Sequence, residues 1–189
     1  MIKAFIIFAA LLGTEAKENY KVSTDDSSVE WVGKKVTGQH NGVISLQGGR
    51  LEMENGQLVG GIFTMDMTTI DVQDLSGGSK GKLEGHLKSD DFFGVEKFPT
   101  ATFVITKAVP QGPGKYKIVG NITIKGKTEE IQFPANVEEK DRNIVANADL
   151  SIDRSKFDIK YGSGSFFDNL GDKTIYDNFD LSISLVANK

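Results

Sequence analysis

The chain has 189 residues, with 22 Lys and Arg against 26 Asp and Glu for a formal net charge of −4, two His and no Cys. The lack of cysteine excludes disulfides, thiolate metal sites, cysteine nucleophiles and lipoprotein acylation. A mildly acidic chain without a long basic block argues against nucleic acid as a partner, and its dispersed Lys and Glu read as a solvated surface.

Met1-Ile2-Lys3, the apolar run AFIIFAALLG and the small-x-small Thr14-Glu15-Ala16 read as a secretory signal peptide over residues 1–16. A run of about ten apolar residues is too short to span a bilayer, which takes roughly 20. The signal carries one Lys and one Glu, so residues 17–189 keep the charge of −4. They are enough for one domain with a substantial core, expected to be periplasmic or secreted.

From Tyr20 onward apolar and polar residues alternate between turn signals, which predicts antiparallel strands rather than βαβ units. Asn41-Gly42, Gly48-Gly49 and Asn55-Gly56 are expected to be hairpin turns between strands of about five to seven residues. Phe63, Met65 and Met67 then share one strand face, as an ordinary core stripe or as the flexible lining of a cavity. Gly77 to Lys82, GGSKGK, has the wrong spacing for a phosphate-binding loop and reads as a flexible lead into a helix bearing Leu83 and Leu87 on one face. Ser89 is expected to cap a short turn with Asp90 and Asp91 at its N-terminus, followed by Phe92 and Phe93. Pro99 ends any helix, and Ala101, Phe103 and Ile105 begin a new alternation.

In the second half Tyr116, Ile118, Ile122 and Ile124 share one parity. Across a turn at Lys125-Gly126-Lys127 so do Ile131, Phe133, Ala135 and Val137. Further rows run from Ile144 to Ile152 and from Leu181 to Leu185. Gly120 to Thr128 has five residues between its glycines, where a phosphate loop needs four, and Asn121-Ile122-Thr123 is a sequon in mid-strand. About eight antiparallel strands result, and closure into a barrel removes their edges. A barrel of that size is either filled by side chains or holds one small ligand.

Catalytic chemistry finds little footing. His40 and His86 lack the spacing and the third partner of common zinc sets, and no GxSxG elbow accompanies a serine. The pairs Asp71 with Asp74 and Asp90 with Asp91 are explained by caps and loops.

Five ordered segments resemble the YceI-like family of secreted polyisoprenoid-binding proteins: WVGKKVTGQHNG at 31–42, GGIFTMDMTTID at 60–71, Leu83 to Phe103, GNITIKGKTEEIQFPANV at 120–137 and LSIDRSKFDI at 150–159. The resemblance implies an all-β fold, an elongated eight-stranded antiparallel lipocalin-like β-barrel with one or two short helices and an apolar tunnel. It implies a non-enzymatic protein, with no cofactor, that binds a polyisoprenoid lipid of the quinone or polyprenyl phosphate type for storage, transport or envelope stress protection. On that reading Trp31, Phe63, Met65, Met67, Leu87, Phe92, Phe93 and Phe103 line or close the tunnel, and His40 and His86 are the polar candidates near the head group, with a hydrogen bond that fixes the helix or hairpin as the structural alternative for each. A homodimer and a transient contact with a membrane surface are compatible with it.

Where the family often has Gly after the aromatic of an RSxFG-like segment, this chain has Asp158, followed by an insertion-like stretch from Tyr161 to Lys173 that reads as a lid or as a packed loop. Two rivals stand beside the carrier. One is a filled barrel that recognises another envelope protein without a lipid, and the other is a head-group enzyme using His86 with Asp90 or Asp91.

Overall fold

The computed structural model describes residues 17–189; the expected signal peptide lies outside the described residues. Among them, nine strands run β1 Glu18–Val22, β2 Ser28–Lys35, β3 Gly38–Glu54, β4 Gln57–Val72, β5 Thr100–Gly112, β6 Lys115–Ile124, β7 Lys127–Lys140, β8 Asn143–Asp153 and β9 Ile175–Asn188, with one α-helix, α1, over Gly77–Lys88. All strand pairs are antiparallel, and the pairing of β3 with β4 closes the sheet on itself. β1 and β2 both lie between β3 and β9, β1 against Arg50–Met53 and β2 against Gly38–Val43. They form a single stave broken by a bend, so the ring has the eight staves expected of it.

The strands obey the period-two rule. In β6, Tyr116, Ile118, Ile122 and Ile124 are buried while Lys115, Lys117 and Asn121 face water. The β6–β7 hairpin turns at Lys125-Gly126, both at positive φ, as the glycine predicts. At Asn55-Gly56 the same left-handed pair joins β3 to β4.

The other two expected turns are not turns. Asn41-Gly42 and Gly48-Gly49 lie inside β3, a single strand of 17 residues. Gly42 is opposite Trp31, and a side chain there would collide with the indole and with the carbonyl of Asp71. Gly49 lies under Phe63, next to a bulge between Leu46 and Gly48. These glycines mark close approach, which the sequence writes in the same letters as a turn.

A second difference is at α1, which begins at Gly77, so GGSKGK is its first half rather than a lead into it. Gly77, Gly78, Gly81 and Gly85 make it a poor helix by propensity. Polar ties hold it to β4: the Val72 N–H donates to Glu84 Oε1 at 3.0 Å, and Lys80 Nζ lies 2.6 Å from Asp71 Oδ1. Ser89 closes this helix with its N–H and hydroxyl, both donating to the His86 carbonyl, and opens the next turn with its carbonyl, which accepts from the Phe92 and Gly94 N–H groups, rather than through its side chain. The turns that follow carry Phe92, Phe93 and Val95 over one end of the barrel.

Candidate functional site

Inside the barrel the two ends differ. Away from α1, residues such as Leu51, Leu58, Tyr116, Ile118, Ile144 and Ala187 are buried against one another, and the Leu58 N–H donates to the Tyr116 hydroxyl at 3.3 Å. At the α1 end the side chains stop short of the axis and leave a cavity of about 170 Å³ walled almost entirely by carbon. A cavity with such walls stays dry, or takes an apolar ligand.

Glycines keep it open. Trp31 lies over Gly42, Phe63 over Gly49 and Phe103 over Gly120, where an added Cβ would come within 2.5, 2.9 and 2.5 Å of the respective rings. Each ring lies against a neighbouring strand in the space a side chain would have taken, rather than across the lumen. On β4 a bulge between Asp66 and Asp71 adds to the lining, because the Met67 N–H bonds to the Pro99 carbonyl and the Ser45 N–H to the Thr69 hydroxyl. Met67 and Ile70 are thereby both buried along the cavity.

Trp31, Phe63, Met65, Met67 and Phe103 line the cavity from β2, β4 and β5, and Leu87, Phe92 and Phe93 close it from α1 and the turns behind it. The two histidines lie elsewhere. His40 is near the start of β3, its Nδ1 2.8 Å from Asp74 Oδ2, while Asp74 Oδ1 accepts from the Asn41 N–H at 3.1 Å. It fastens the chain after β4: His40 shares the parity of Gly42, Ile44 and Leu46 but lies beyond them toward the start of β3, outside the cavity lining. The His86 ring lies 4.3 Å from that of Tyr161 and 5.7 Å from that of Phe92, between α1 and the loop before β9 and behind the cavity wall. Its Nε2 is buried without a hydrogen bond.

The polar group at the cavity is one that sequence reasoning missed. Arg154, only 2% exposed, borders it and donates to the carbonyls of Ile159 at 2.7 Å, Ile175 at 3.0 Å and Tyr176 at 3.2 Å. Its guanidinium carbon is 5.4 Å from the centre of the Phe92 ring, and its Nη2 3.5 Å from Asp177 Oδ1. Burial pushes the Arg154 pKa down, against the nearby Asp177 and Asp153. Burial pushes Asp177 up, but hydrogen bonds from Ser163 and Ser165 and the Arg154 charge outweigh it and hold the carboxyl below its usual range. Lys34, Tyr176 and Asn178 line the cavity at this same end. A signal for Arg154 did exist: the inward row from Ile144 to Ile152 reaches it two residues on.

The stretch from Tyr161 to Lys173 is tied to the barrel. Ser163, fully buried, bridges to Ile175, and the Ile175 N–H donates to the Gly162 carbonyl at 2.8 Å. Phe166 and Phe167 are exposed and stand apart from the cavity. Asp158 has φ of 61°, in the left-handed region that glycine enters freely.

A family model described as a YceI-like domain matches residues 20–187. The structure is similar to that of Burkholderia cenocepacia BcnA, with a TM-score of 0.72 and 26% identity over 88% of this chain and 99% of that one. It also shares its fold with a polyisoprenoid binding domain from Saccharophagus degradans implicated in plant cell wall breakdown, with a TM-score of 0.65 and 12% identity over 89% of this chain and 97% of that one. A UPF0312 protein of Staphylococcus aureus (strain USA300) is 35% identical over 85 residues, 41% of this chain and 47% of that protein. The match thus spans about half the length of that relative.

Proposed function

Since the chain belongs to the YceI-like family, we propose that the hollow end of its barrel holds the tail of a polyisoprenoid lipid, of the quinone or polyprenyl phosphate type, and shields it from water during storage, transfer or envelope stress. The observation that carries this reading is the carbon-walled cavity at the α1 end, kept open by rings lying over glycines. The Saccharophagus degradans domain that shares the fold is described as polyisoprenoid binding, which supports the same ligand class. Each buried CH₂ contributes about 0.8 kcal/mol, so a tail binds through area, without a specific hydrogen bond.

The head group belongs at the end where the polar lining collects. Arg154, Lys34, Tyr176 and Asn178 are there, and the rest of the lining is almost wholly apolar. The residues assigned to the tail are Trp31, Phe63, Met65, Met67, Leu87, Phe92, Phe93 and Phe103. The protein acts as a binding protein rather than an enzyme, in the periplasm or outside the cell, and collects its cargo by transient contact with a membrane surface. A filled interaction module fits the geometry less well, because one end of this barrel is hollow.

The test is native purification from an envelope-containing host, followed by solvent extraction and mass spectrometry. A stoichiometric isoprenoid is the expected result. No isoprenoid, either co-purified or taken up on incubation, overturns the reading.

A further inference from the structure

The barrel wall is not bonded all the way round. β7 pairs with β6 along Lys127–Asn136 and β8 with β9 along Asn143–Asp153, but β7 and β8 pair with each other only over Asn136–Lys140 and Asn143–Asn147. Among the described residues, the backbone of 127–135 has no ladder partner on its β8 side. Buried backbone groups seldom go unpaired, so a stretch like this behaves as a strand edge. Pro134 sits in it, a residue that sheets tolerate at edges because it has no N–H to donate.

Burial gives the same picture independently. In β6 the inward residues are buried, whereas on β7 Glu129, Ile131, Phe133 and Ala135 are all half-exposed, and the first fully buried residue is Val137, inside the paired segment. On β8, Ala148 and Leu150 are half-exposed while Ile144, Ala146 and Ile152 are buried. The gap is framed at both ends. The β7–β8 hairpin closes one, and the short helical turn Arg154–Phe157, packed on β7, closes the other, where Lys127 Nζ lies 3.9 Å from Asp158 Oδ1. Outside it lies a groove of about 530 Å³, and Phe133 lines both this groove and the inner cavity.

We propose that an isoprenoid chain passes into the cavity sideways, through a window in the barrel wall between β7 and β8 whose two sides are Phe133 and Leu150. This rests on the carrier reading above and adds the route. A long flexible chain need not be threaded end-on past α1 and the aromatic turns; it is laid in laterally as the unpaired strand edges part. Parting them breaks no ladder hydrogen bonds, and segments held by few bonds are the ones that open first.

Continuing the β7–β8 register sets Phe133 opposite Leu150. The chain has no cysteine, so Phe133→Cys with Leu150→Cys gives one disulfide and no other. Uptake of undecaprenyl phosphate from phosphatidylcholine vesicles is compared for this variant oxidised and reduced. The oxidised form is expected to take up lipid about tenfold more slowly, with the rate restored by reductant. Equal rates in the two forms overturn the proposal. Hydrogen exchange on the unmodified protein reads the window without a ligand and decides the matter if the variant binds nothing or does not cross-link. Seam-facing amides of residues 131–135 are expected to exchange far faster than those of β6, and equally slow exchange overturns the window. Loss of lipid binding by the unmodified protein sinks the carrier reading alone, since the exchange result still stands or falls by itself.

Discussion

Arg154 and Asp177 form the most buried ion pair among the described residues. A guanidinium that is 2% exposed and spread over three carbonyls is held by its fork geometry, and Asp177 is its nearest counter-charge. Arg154→Met leaves the Asp177 carboxylate without that partner and the three carbonyls without donors, and is expected to cost about 3 kcal/mol in urea unfolding. Arg154→Lys should recover little of it, because one ammonium cannot reach three divergent acceptors. Asp177 also sets an acid limb. Its folded pKa lies below the usual value. Its contribution is therefore full above the unfolded Asp value of about 3.9 and is lost as pH falls through the lower folded value. In Asp177→Asn, unfolding midpoints measured from pH 6 down to pH 2 should fall less steeply at the acid end than in the parent, from a lower starting point. An unchanged acid slope would show that Asp177 carries no such linkage.

Among the elements, α1 and the strands β3 and β6 use glycine in opposite ways, and substitutions separate them. A Cβ at Gly81 meets nothing within 4 Å, so Gly81→Ala simply exchanges a poor helix former for the best one. It is expected to raise stability by about 0.5 to 1 kcal/mol, read from the denaturation midpoint. At Gly120 the same change sets a Cβ 2.5 Å from both the Phe103 ring and the Val104 carbonyl. The backbone oxygen cannot move aside, and overpacking of this kind costs about 1 to 3 kcal/mol. The Phe103 ring would be driven toward the lumen, so Gly120→Ala should also lower lipid capacity, whereas Gly81→Ala should leave it unchanged. Gly42 and Gly49 in β3 belong with Gly120: they serve the aromatic rings beside them, not a change of direction.

For the whole molecule the decisive property is a barrel filled at one end and hollow at the other. Met65, opposite Ala101 on β5, faces the hollow end. Met65→Trp places a rigid indole in the cavity, and is expected to leave a folded protein, by its circular dichroism and melting, that no longer extracts or binds an isoprenoid. Undiminished binding by the folded variant would remove Met65 from the tail site. The β7–β8 seam is a property of the same scale, since neither strand is irregular by itself and the gap exists only in how the two splay apart.

The sequence by itself determined the parity rows, the turns at Asn55-Gly56 and Lys125-Gly126 and the eight-stave closure. These follow from the strand period of two and from local backbone preference, which short stretches of chain carry in full. Tertiary structure decided the rest. Asn41-Gly42 and Gly48-Gly49 read as turns because a glycine needed for close approach looks like one needed for positive φ until the neighbouring strand is in place. On residue type alone His40 and His86 are head-group candidates; neither borders the cavity, His40 being tied to Asp74 beyond it and His86 packed between Tyr161 and Phe92. Arg154 lay on an inward row whose meaning changed only where the strand ended in a helical turn. Whether the barrel is hollow, and at which end, is what remains after side chains from all the staves have been packed, a sum over distant parts of the chain that no local pattern contains.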